Sequence, residues 1–541
     1  MLPPTDELIA RLTQQMLAPV VAQVAALRSA DRNDEALDAA MKALQAMSHK
    51  AVLAEYTATL RRLQRSSEKL NPLQLELIAN AVQDEALNEP VDPDEGVADL
   101  DVEDLLKKAE DQAKADRPPR KRGGRNTLPD HLDRVVRVLD VAEHDKACPC
   151  CGSERVEIGR DEREVLDVLP IRFRVLRYER VRRACRDCGR SGVVTGPPAS
   201  DQLERLMASP RLLAHVATSK YEAHLPLHRL RRLYKHMGLA IAESTLGGWV
   251  ARVAEELRPV HQALWDELRA QHVVGTDATG LRVLDTDAPS NVTLGTVWCY
   301  VGYPADLGTR LCAYRYSPTG TGKDGPWTHL EGQTGFVQAD AANVFDRLFN
   351  GKVASATEVG CWAHARRKLR DLLDSDKRVA KPLQRIARIY RVDKAAKANG
   401  MTPDQRLELR QRVSKKHVDW LQRWLQRTRG REPPKSALGK ACAYWTNHWE
   451  ALTRFLHDGR LELDNTEVER QLRALALGRK NYLFAGSHDS ADRAAVIYSL
   501  IRSCDLAGID AMDWMESVLT RLAAGWPQKR IDELLPHRWT R

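Results

Sequence analysis

The sequence contains no apolar stretch long enough to cross a lipid bilayer. The longest one, Leu17–Leu27, is interrupted by Pro19 and Gln23, and it falls far short of the ~20 residues that a membrane-spanning helix requires. The first segment, MLPPTDELIARL, carries acidic side chains and no basic lead-in, so we expect no secretory signal. These absences predict a protein that is not associated with membranes.

Cysteine is also scarce, with 10 residues in a chain of 541. Because no export signal is expected, thiols at this frequency favour a reducing compartment, in which cysteines stay free or bind metals. We therefore expect the protein in the bacterial cytoplasm. Hydrophobic residues make up 43% of the chain, enough to form cores, and at ~150 residues per domain the length predicts about three or four domains.

The net charge is only +9, so the distribution of charge is more informative than its sum. Residues 1–90 are predicted to be helical, either as a small bundle or as a short coiled coil for self-association, because apolar residues recur along one helix face. Residues 91–130 are predicted to form a linker that is first acidic and solvated, and then basic. The basic arm either contacts DNA phosphates or is simply solvated. Its cations are Arg117, Arg120, Lys121, Arg122 and Arg125.

Two C-x-x-C pairs predict a zinc ribbon over residues 131–197. Cys148 and Cys151 form the first pair and Cys185 and Cys188 the second, each followed by glycine. Two such turns complete a tetrahedral shell of four thiolates, which leaves no open position, so we expect structural Zn²⁺ and no catalysis at this metal. The arginines nearby predict that the ribbon presents cations to DNA.

Residues 198–270 are predicted to be helical. Two helices divide at Met237–Gly238, where Gly238 suits a turn, and Ser244 or Thr245 is a candidate cap for the second helix. This pattern fits a helix-turn-helix that binds the DNA major groove, and it fits an ordinary helical hairpin equally well.

From residue 271 the sequence changes to short strands. Three β-branched and aromatic runs predict an antiparallel meander, and two strand–helix units follow before residue 371. Asp277 lies in the first strand, Asp340 ends a later strand, and Glu469 lies on a helix that begins near Asp464. Clustered carboxylates can hold divalent ions for nucleic-acid cleavage, but in a chain with 74 acids placement alone does not single out these three.

Strings along nearly the whole chain resemble the insertion-sequence-66 family of transposases. The longest resemblances are LRRLQRSSEKLNPLQLEL (60–77), ASPRLLAHVATSKYEAHLPLHR (208–229), CWAHARRKLRD (361–371), DNTEVERQLRALALGRKNYLFAGS (464–487) and AAVIYSLIRSCDLAGID (494–510). The resemblance implies a DDE transposase with an RNase H-like core and the triad Asp277, Asp340 and Glu469. Glu467 is the competing choice for the glutamate. This triad would hold two Mg²⁺ or Mn²⁺ ions.

The complete prediction is a multidomain α+β protein that cleaves and joins DNA. The mixed α/β core comprises residues 271–370 and 461–500, a helical insertion spans 371–460, and a helical segment ends the chain at 501–541. The insertion is either a Trp-containing helical core or a clamp for DNA, and His364 is either structural or in contact with phosphate. Further cations predicted to contact DNA are Arg366, Arg367, Arg473, Arg479 and Lys480.

The expected partners are transposon ends and target DNA, in the bacterial nucleoid. Because both ends must be held together, we expect at least a dimer, and the family resemblance implies small accessory proteins. Two alternatives remain open at this stage. One is an RNase H-like nuclease that cuts without strand transfer, and the other is an inactive DNA-binding regulator.

Overall fold

The computed structural model describes residues 98–115, 173–184, 193–195, 199, 203 and 206–540. The predictions for the N-terminal helical region, the basic arm and the four zinc-binding cysteines lie outside these residues. Two short strands, β1 (Arg182–Ala184) and β2 (Val193–Thr195), pair antiparallel.

A five-stranded mixed sheet forms the centre of the described structure. Its strands are β3 (Val273–Leu284), β4 (Val292–Tyr303), β5 (Leu311–Ser317), β6 (Phe336–Ala339) and β7 (Thr357–Gly360). They lie in the order β5-β4-β3-β6-β7. The predicted meander is confirmed, because β3, β4 and β5 pair antiparallel, while β6 and β7 run parallel to β3.

Helices surround this sheet. Before it come α1 (Ala98–Ala115), α2 (Pro210–Tyr221), α3 (Leu227–His236) and α4 (Glu243–Arg269). Within the strand region lie α5 (Pro326–His329) and α6 (Asp346–Phe349), and α7 (Trp362–Arg370) follows β7. Residues 371–460 contain α8 (Ala380–Ala398), α9 (Pro403–Leu409), α10 (Lys415–Arg429), α11 (Ala437–Asn447) and α12 (Trp449–Thr453). The chain continues with α13 (Thr466–Tyr482), α14 (His488–Ala507) and α15 (Ala511–Ala523). None of the helices in the described ranges combines the length and the apolar character that a membrane span requires.

The acidic segment predicted to be a solvated linker is in part a packed helix. In α1, Val102 is buried against Val392, Ala395 and Val413 of the segment between β7 and α13. Its neighbours Leu105 and Leu106 contact the same cluster. An apolar stripe at i, i+3 and i+4 is enough to dock a helix whose other faces are charged, and the high acid content concealed this stripe.

The turn between α3 and α4 was predicted correctly, but its cap was not. Gly238 adopts a φ of +84°, a left-handed conformation that glycine accepts without steric cost. The N-cap of α4 is Ala242, which makes no side-chain capping bond. Ser244 and Thr245 therefore lie inside the first turn of the helix and do not cap it.

The free edge of the sheet at β5 is covered by serines of α14. The amide of Tyr314 donates a hydrogen bond to Ser499 Oγ (2.7 Å), and the amide of Cys312 donates to Ser503 Oγ (3.3 Å). The hydroxyl of Ser503 in turn donates to the carbonyl of Cys312 (2.8 Å). Because an edge strand otherwise presents unpaired backbone groups, these side chains satisfy the edge and fix α14 against the sheet.

Tryptophans hold the helices of residues 371–460 against α7. Trp362 and Trp445 are fully buried in an edge-to-face pair, with their ring centroids 5.2 Å apart. The ring nitrogen of Trp445 donates to the carbonyl of Ala365 (2.9 Å). The other predicted tryptophans, Trp420, Trp424 and Trp449, are partly buried against the same core. The core interpretation of these tryptophans is therefore confirmed.

We expect Trp445→Phe to destabilise the protein measurably and Trp445→Ala to cost about 3–5 kcal/mol in the free energy of unfolding. The phenylalanine variant loses the hydrogen bond to Ala365 and leaves a small void, whereas alanine removes nearly the whole buried ring. Thermal and denaturant unfolding measure both effects. The control is Trp424→Phe, at a partly buried ring, and equal losses for the two phenylalanine variants would contradict this packing.

Candidate active site

Two aspartates lie side by side on adjacent parallel strands, at the point where β6 ends. The pairing of β3 with β6 aligns Val273 with Phe336 and Gly275 with Gln338. Continued by two residues, this register sets Asp277 opposite Asp340, the residue that directly follows β6. Neighbouring strands are about 4.8 Å apart, so the two aspartates lie next to each other on the sheet.

The first turn of α13 lies directly on β3. The side-chain amide of Asn465 donates to the carbonyl of Thr276 (2.8 Å). A Cβ atom at Gly275 would lie 2.9 Å from both Asn465 Oδ1 and Val468 Cγ2, closer than side chains can approach. Only glycine therefore permits this contact, which places Glu469, one turn into α13, beside the strand that carries Asp277.

The two candidate glutamates of α13 have different environments. Glu467 is buried and accepts hydrogen bonds from Arg310 Nη1 (2.8 Å), Arg470 Nη1 (2.5 Å) and Gln471 Nε2 (2.6 Å). Glu469 is about a third exposed, and its Oε1 lies 4.0 Å from His364 Nδ1. Glu467 is therefore fully engaged in the protein interior, and Glu469 is the glutamate that faces the aspartates.

The three carboxylates influence one another electrostatically. Burial, with smaller contributions from the charges of Asp340 and Glu469, raises the pKa of Asp277 to about 6 despite the lowering effects of the Ala278 amide and His364. Burial likewise raises the pKa of Glu469, with Asp340 adding to the rise and Arg367 and Arg473 opposing it. Such mutual perturbation is typical of carboxylates that share a functional site.

The beginning of α7 is joined to the chain that leads into α13. The amide of Trp362 donates to the carbonyl of Leu463 (3.0 Å), and the amide of Asn465 donates to Cys361 Sγ (3.3 Å). This junction brings His364, on the first turn of α7, within reach of Glu469. His364 Nδ1 is buried and has no hydrogen-bond partner, so the structure leaves its role open between the two predicted ones.

The cations that were predicted to contact DNA differ in their exposure and in their contacts with the protein. Lys480 and Arg367 are exposed, while Arg473 is half-buried. Arg366 stacks on Tyr390, with its guanidinium 5.8 Å from the ring centre. Arg479 donates to Thr279 Oγ1 (2.6 Å) and to the carbonyl of Gly280, so it fastens α13 to β3, an internal role that the sequence did not reveal.

A buried ion network next to the site was not predicted from the sequence. Asp393 accepts hydrogen bonds from both Arg406 (2.7 Å) and Arg410 (2.7 and 2.8 Å). Arg406 also binds Glu462 (3.0 Å), and Glu462 is joined to Arg310 (3.3 Å). Despite burial, the arginines hold the pKa of Asp393 at about 2, and Arg406 with Lys397 does the same for Glu462.

The donor chemistry at the carboxylates suits hard divalent cations, which prefer carboxylate oxygens from rigid elements. In the ranges that the structure describes, no three His, Cys, Asp or Glu side chains are grouped closely enough to hold a metal ion as they stand. Asp340 and Glu469 are nevertheless near enough to Asp277 to raise its pKa, and carboxylate oxygens are the ligands that such ions prefer.

Asp277→Asn should stabilise the protein most at pH 8 and by only about a third as much at pH 4.5. The folded carboxyl has a pKa of about 6 against an ordinary value of 3.8, so the folded state binds the proton more tightly. Its ionisation therefore lowers stability as the pH rises through this window, by about 2–3 kcal/mol when complete. The difference in melting temperature at the two pH values measures the effect. Asp287→Asn, at an exposed turn, is the control, and a pH-independent difference for Asp277→Asn would contradict the prediction.

Comparison with known proteins identifies the family. The profile described as "Transposase IS66 family" matches residues 205–493, and the "zinc-finger binding domain of transposase IS66" matches residues 145–189. The "IS66 C-terminal element" matches residues 499–537, and the "Transposase C of IS166 homeodomain" matches residues 53–137.

Curated relatives are similar over most of their length. Uncharacterized protein y4qI of Sinorhizobium fredii is 32% identical over 508 residues, which cover 92% of this chain and 91% of the relative. Uncharacterized protein y4hP of the same organism is 34% identical over 440 residues, 78% of each chain. With the first profile covering more than half of the sequence, the chain belongs to the IS66 family of transposases.

Proposed function

We propose that this transposase cleaves DNA at the ends of an insertion sequence and transfers the freed strand by DDE chemistry at Asp277, Asp340 and Glu469. The observation that carries the proposal is that Asp277 and Asp340 lie side by side on neighbouring parallel strands, while Glu469 lies on a helix that is fixed to the first of these strands. The strand order and directions of the sheet support an RNase H-like core.

Asp277, Asp340 and Glu469 would hold two divalent ions, Mg²⁺ or Mn²⁺. When bound, such a pair activates the attacking oxygen and neutralises the charge that develops on the leaving oxygen. Cations lower the pKa of nearby carboxyls, so Asp277 would be ionised at neutral pH in the loaded enzyme. The negative charges of the three carboxylates, which repel one another without metal, would then attract and hold the ions.

The chain's own residues position the DNA. Arg367 and Arg473 lie close enough to Glu469 to affect its pKa, and their guanidinium groups are suited to hold the phosphates on either side of the reacting one. Hydrolysis of the phosphodiester at the element's end leaves a free 3′ hydroxyl. That hydroxyl then attacks a target phosphodiester in line, so that a new P–O bond forms as the target's P–O3′ bond breaks.

The front half of the chain would supply DNA binding. The match to the zinc-finger domain supports Zn²⁺ at Cys148, Cys151, Cys185 and Cys188, with the basic arm of residues 117–125 contacting phosphates. Because two ends are processed together, we propose that the protein acts as at least a dimer. Accessory proteins of the element and association with the nucleoid belong to the same proposal.

Replacement of each carboxylate by its amide should abolish metal-dependent cleavage. For Asp277→Asn, Asp340→Asn and Glu469→Gln we expect losses on the order of 10³-fold or more, because several kcal/mol of transition-state stabilisation depend on bound ions. Binding of terminal-sequence duplexes should remain. Cleavage in Mg²⁺ or Mn²⁺ and a gel-shift assay with the same DNA measure the two properties.

Two variants serve as matched controls for Glu469→Gln. Glu450→Gln changes an exposed acid, and Glu467→Gln changes the neighbouring glutamate of the same helix, which we expect to lower stability while cleavage persists. Retained cleavage in Asp277→Asn, Asp340→Asn or Glu469→Gln would contradict the assignment. A strand-transfer assay with a pre-cleaved end separates a transposase from a nuclease, and wild-type protein without any cleavage would be a DNA-binding regulator.

A further inference from the structure

Helix α3 presents a cationic face to solvent. Its sequence, LHRLRRLYKH, contains no acid. Leu230 and Tyr234 are fully buried and anchor the helix. The exposed remainder of the helix surface carries four cations, which are Arg229, Arg231, Arg232 and Lys235. The hydrophobic anchor fixes the helix to the protein, so the positions of these charges are also fixed.

These cations differ from most arginines around them, because none of them has an acidic partner among the residues that the structure describes. Arg252 and Arg258 on the adjacent helix α4 pair with Glu256 and with Glu255 and Asp492. Within the described part of the chain, no carboxylate forms a salt bridge with any of the four α3 cations. Arg229 makes one long contact with the side-chain oxygen of Asn481 (3.5 Å). A fixed cluster of unneutralised cations is the electrostatic footprint of a polyanion-binding surface.

The cationic face continues onto the helix that carries Glu469. The contact between Arg229 and Asn481 joins α3 to the C-terminal end of α13. Glu469 and Asn481 are twelve residues apart on α13, which at 1.5 Å per residue is ~18 Å. On a duplex that lies along α13 and rises 3.4 Å per base pair, this distance would correspond to about five base pairs. The exposed Lys480 lies on the same helix, next to Asn481.

We propose that the exposed face of α3 binds backbone phosphates of duplex DNA about five base pairs from the phosphodiester that is cut beside Glu469. This inference rests on the proposed function, because the spacing is counted from the carboxylates. It assigns the phosphate contacts to the first helix of the α3–α4 pair. The exposed Arg252 of α4 is already neutralised by Glu256, whereas the four α3 cations are available to DNA.

The binding test uses the full chain and a duplex with the terminal sequence of its element. Arg231→Glu combined with Arg232→Glu should weaken binding and make the plot of log affinity against log salt shallower by about 1.8, at 0.9 per lost phosphate contact. Arg231→Lys with Arg232→Lys should restore most of the affinity. Lys323→Glu with Lys529→Glu changes the net charge equally at exposed sites elsewhere and should leave the slope unchanged. Equal melting temperatures verify folding.

Position is tested by neutral methylphosphonates placed singly along the duplex. Wild-type protein should lose affinity when the substitution lies about four to six base pairs from the cleaved end, and the double glutamate variant should be insensitive there. The inference is overturned if the double glutamate variant has the same salt slope and the same sensitivity to methylphosphonates as wild type. It is also overturned if this variant loses self-association and keeps DNA binding. Failure of the proposed function is separate, since it appears as cleavage that survives the triad substitutions.

Discussion

The position of Glu469 depends on the close contact between α13 and β3. At the start of the helix, the absence of a side chain at Gly275 lets Asn465 and Val468 reach the strand backbone. At its end, Arg479 bonds to Thr279 and Gly280 of the same strand. The helix is thus attached at two points more than three turns apart, which fixes both its distance from the strand and its rotation. A glutamate on a helix held in this way is pre-organised relative to a strand aspartate.

The helices of residues 371–460 act on this arrangement through buried charge. Arg410 binds Asp393 and donates to the carbonyls of Phe455, Asp458 and Leu461. Its guanidinium therefore holds the segment between α12 and α13 in place. Glu462 follows directly and joins Arg406 to Arg310, which also holds Glu467. Breaking a buried network by removing one partner leaves an uncompensated charge, so the members depend on one another. The insertion thereby contributes to the geometry of the site without supplying a carboxylate to it.

Local patterns in the sequence predicted the strands of the sheet, the turn at Gly238 and the tryptophan core, because β-branched runs, glycine and tryptophan spacing carry their own structural information. Interactions between distant residues were not predictable in this way. The two acids that pair with Arg406 lie 13 and 56 residues from it in the chain, and no periodicity marks them. Arg479 was predicted to contact DNA because sequence cannot distinguish an exposed arginine from one bonded to a strand. The different environments of Glu467 and Glu469 were not visible in the sequence either, since Arg310 binds only Glu467 at close range.

The serines of α14 that cover β5 constrain how copies of this transposase can associate. A strand whose amides already donate to Ser499 and Ser503 offers no free backbone ladder for a second chain on that side. A second copy of the chain therefore cannot extend the sheet by pairing one of its own strands with β5.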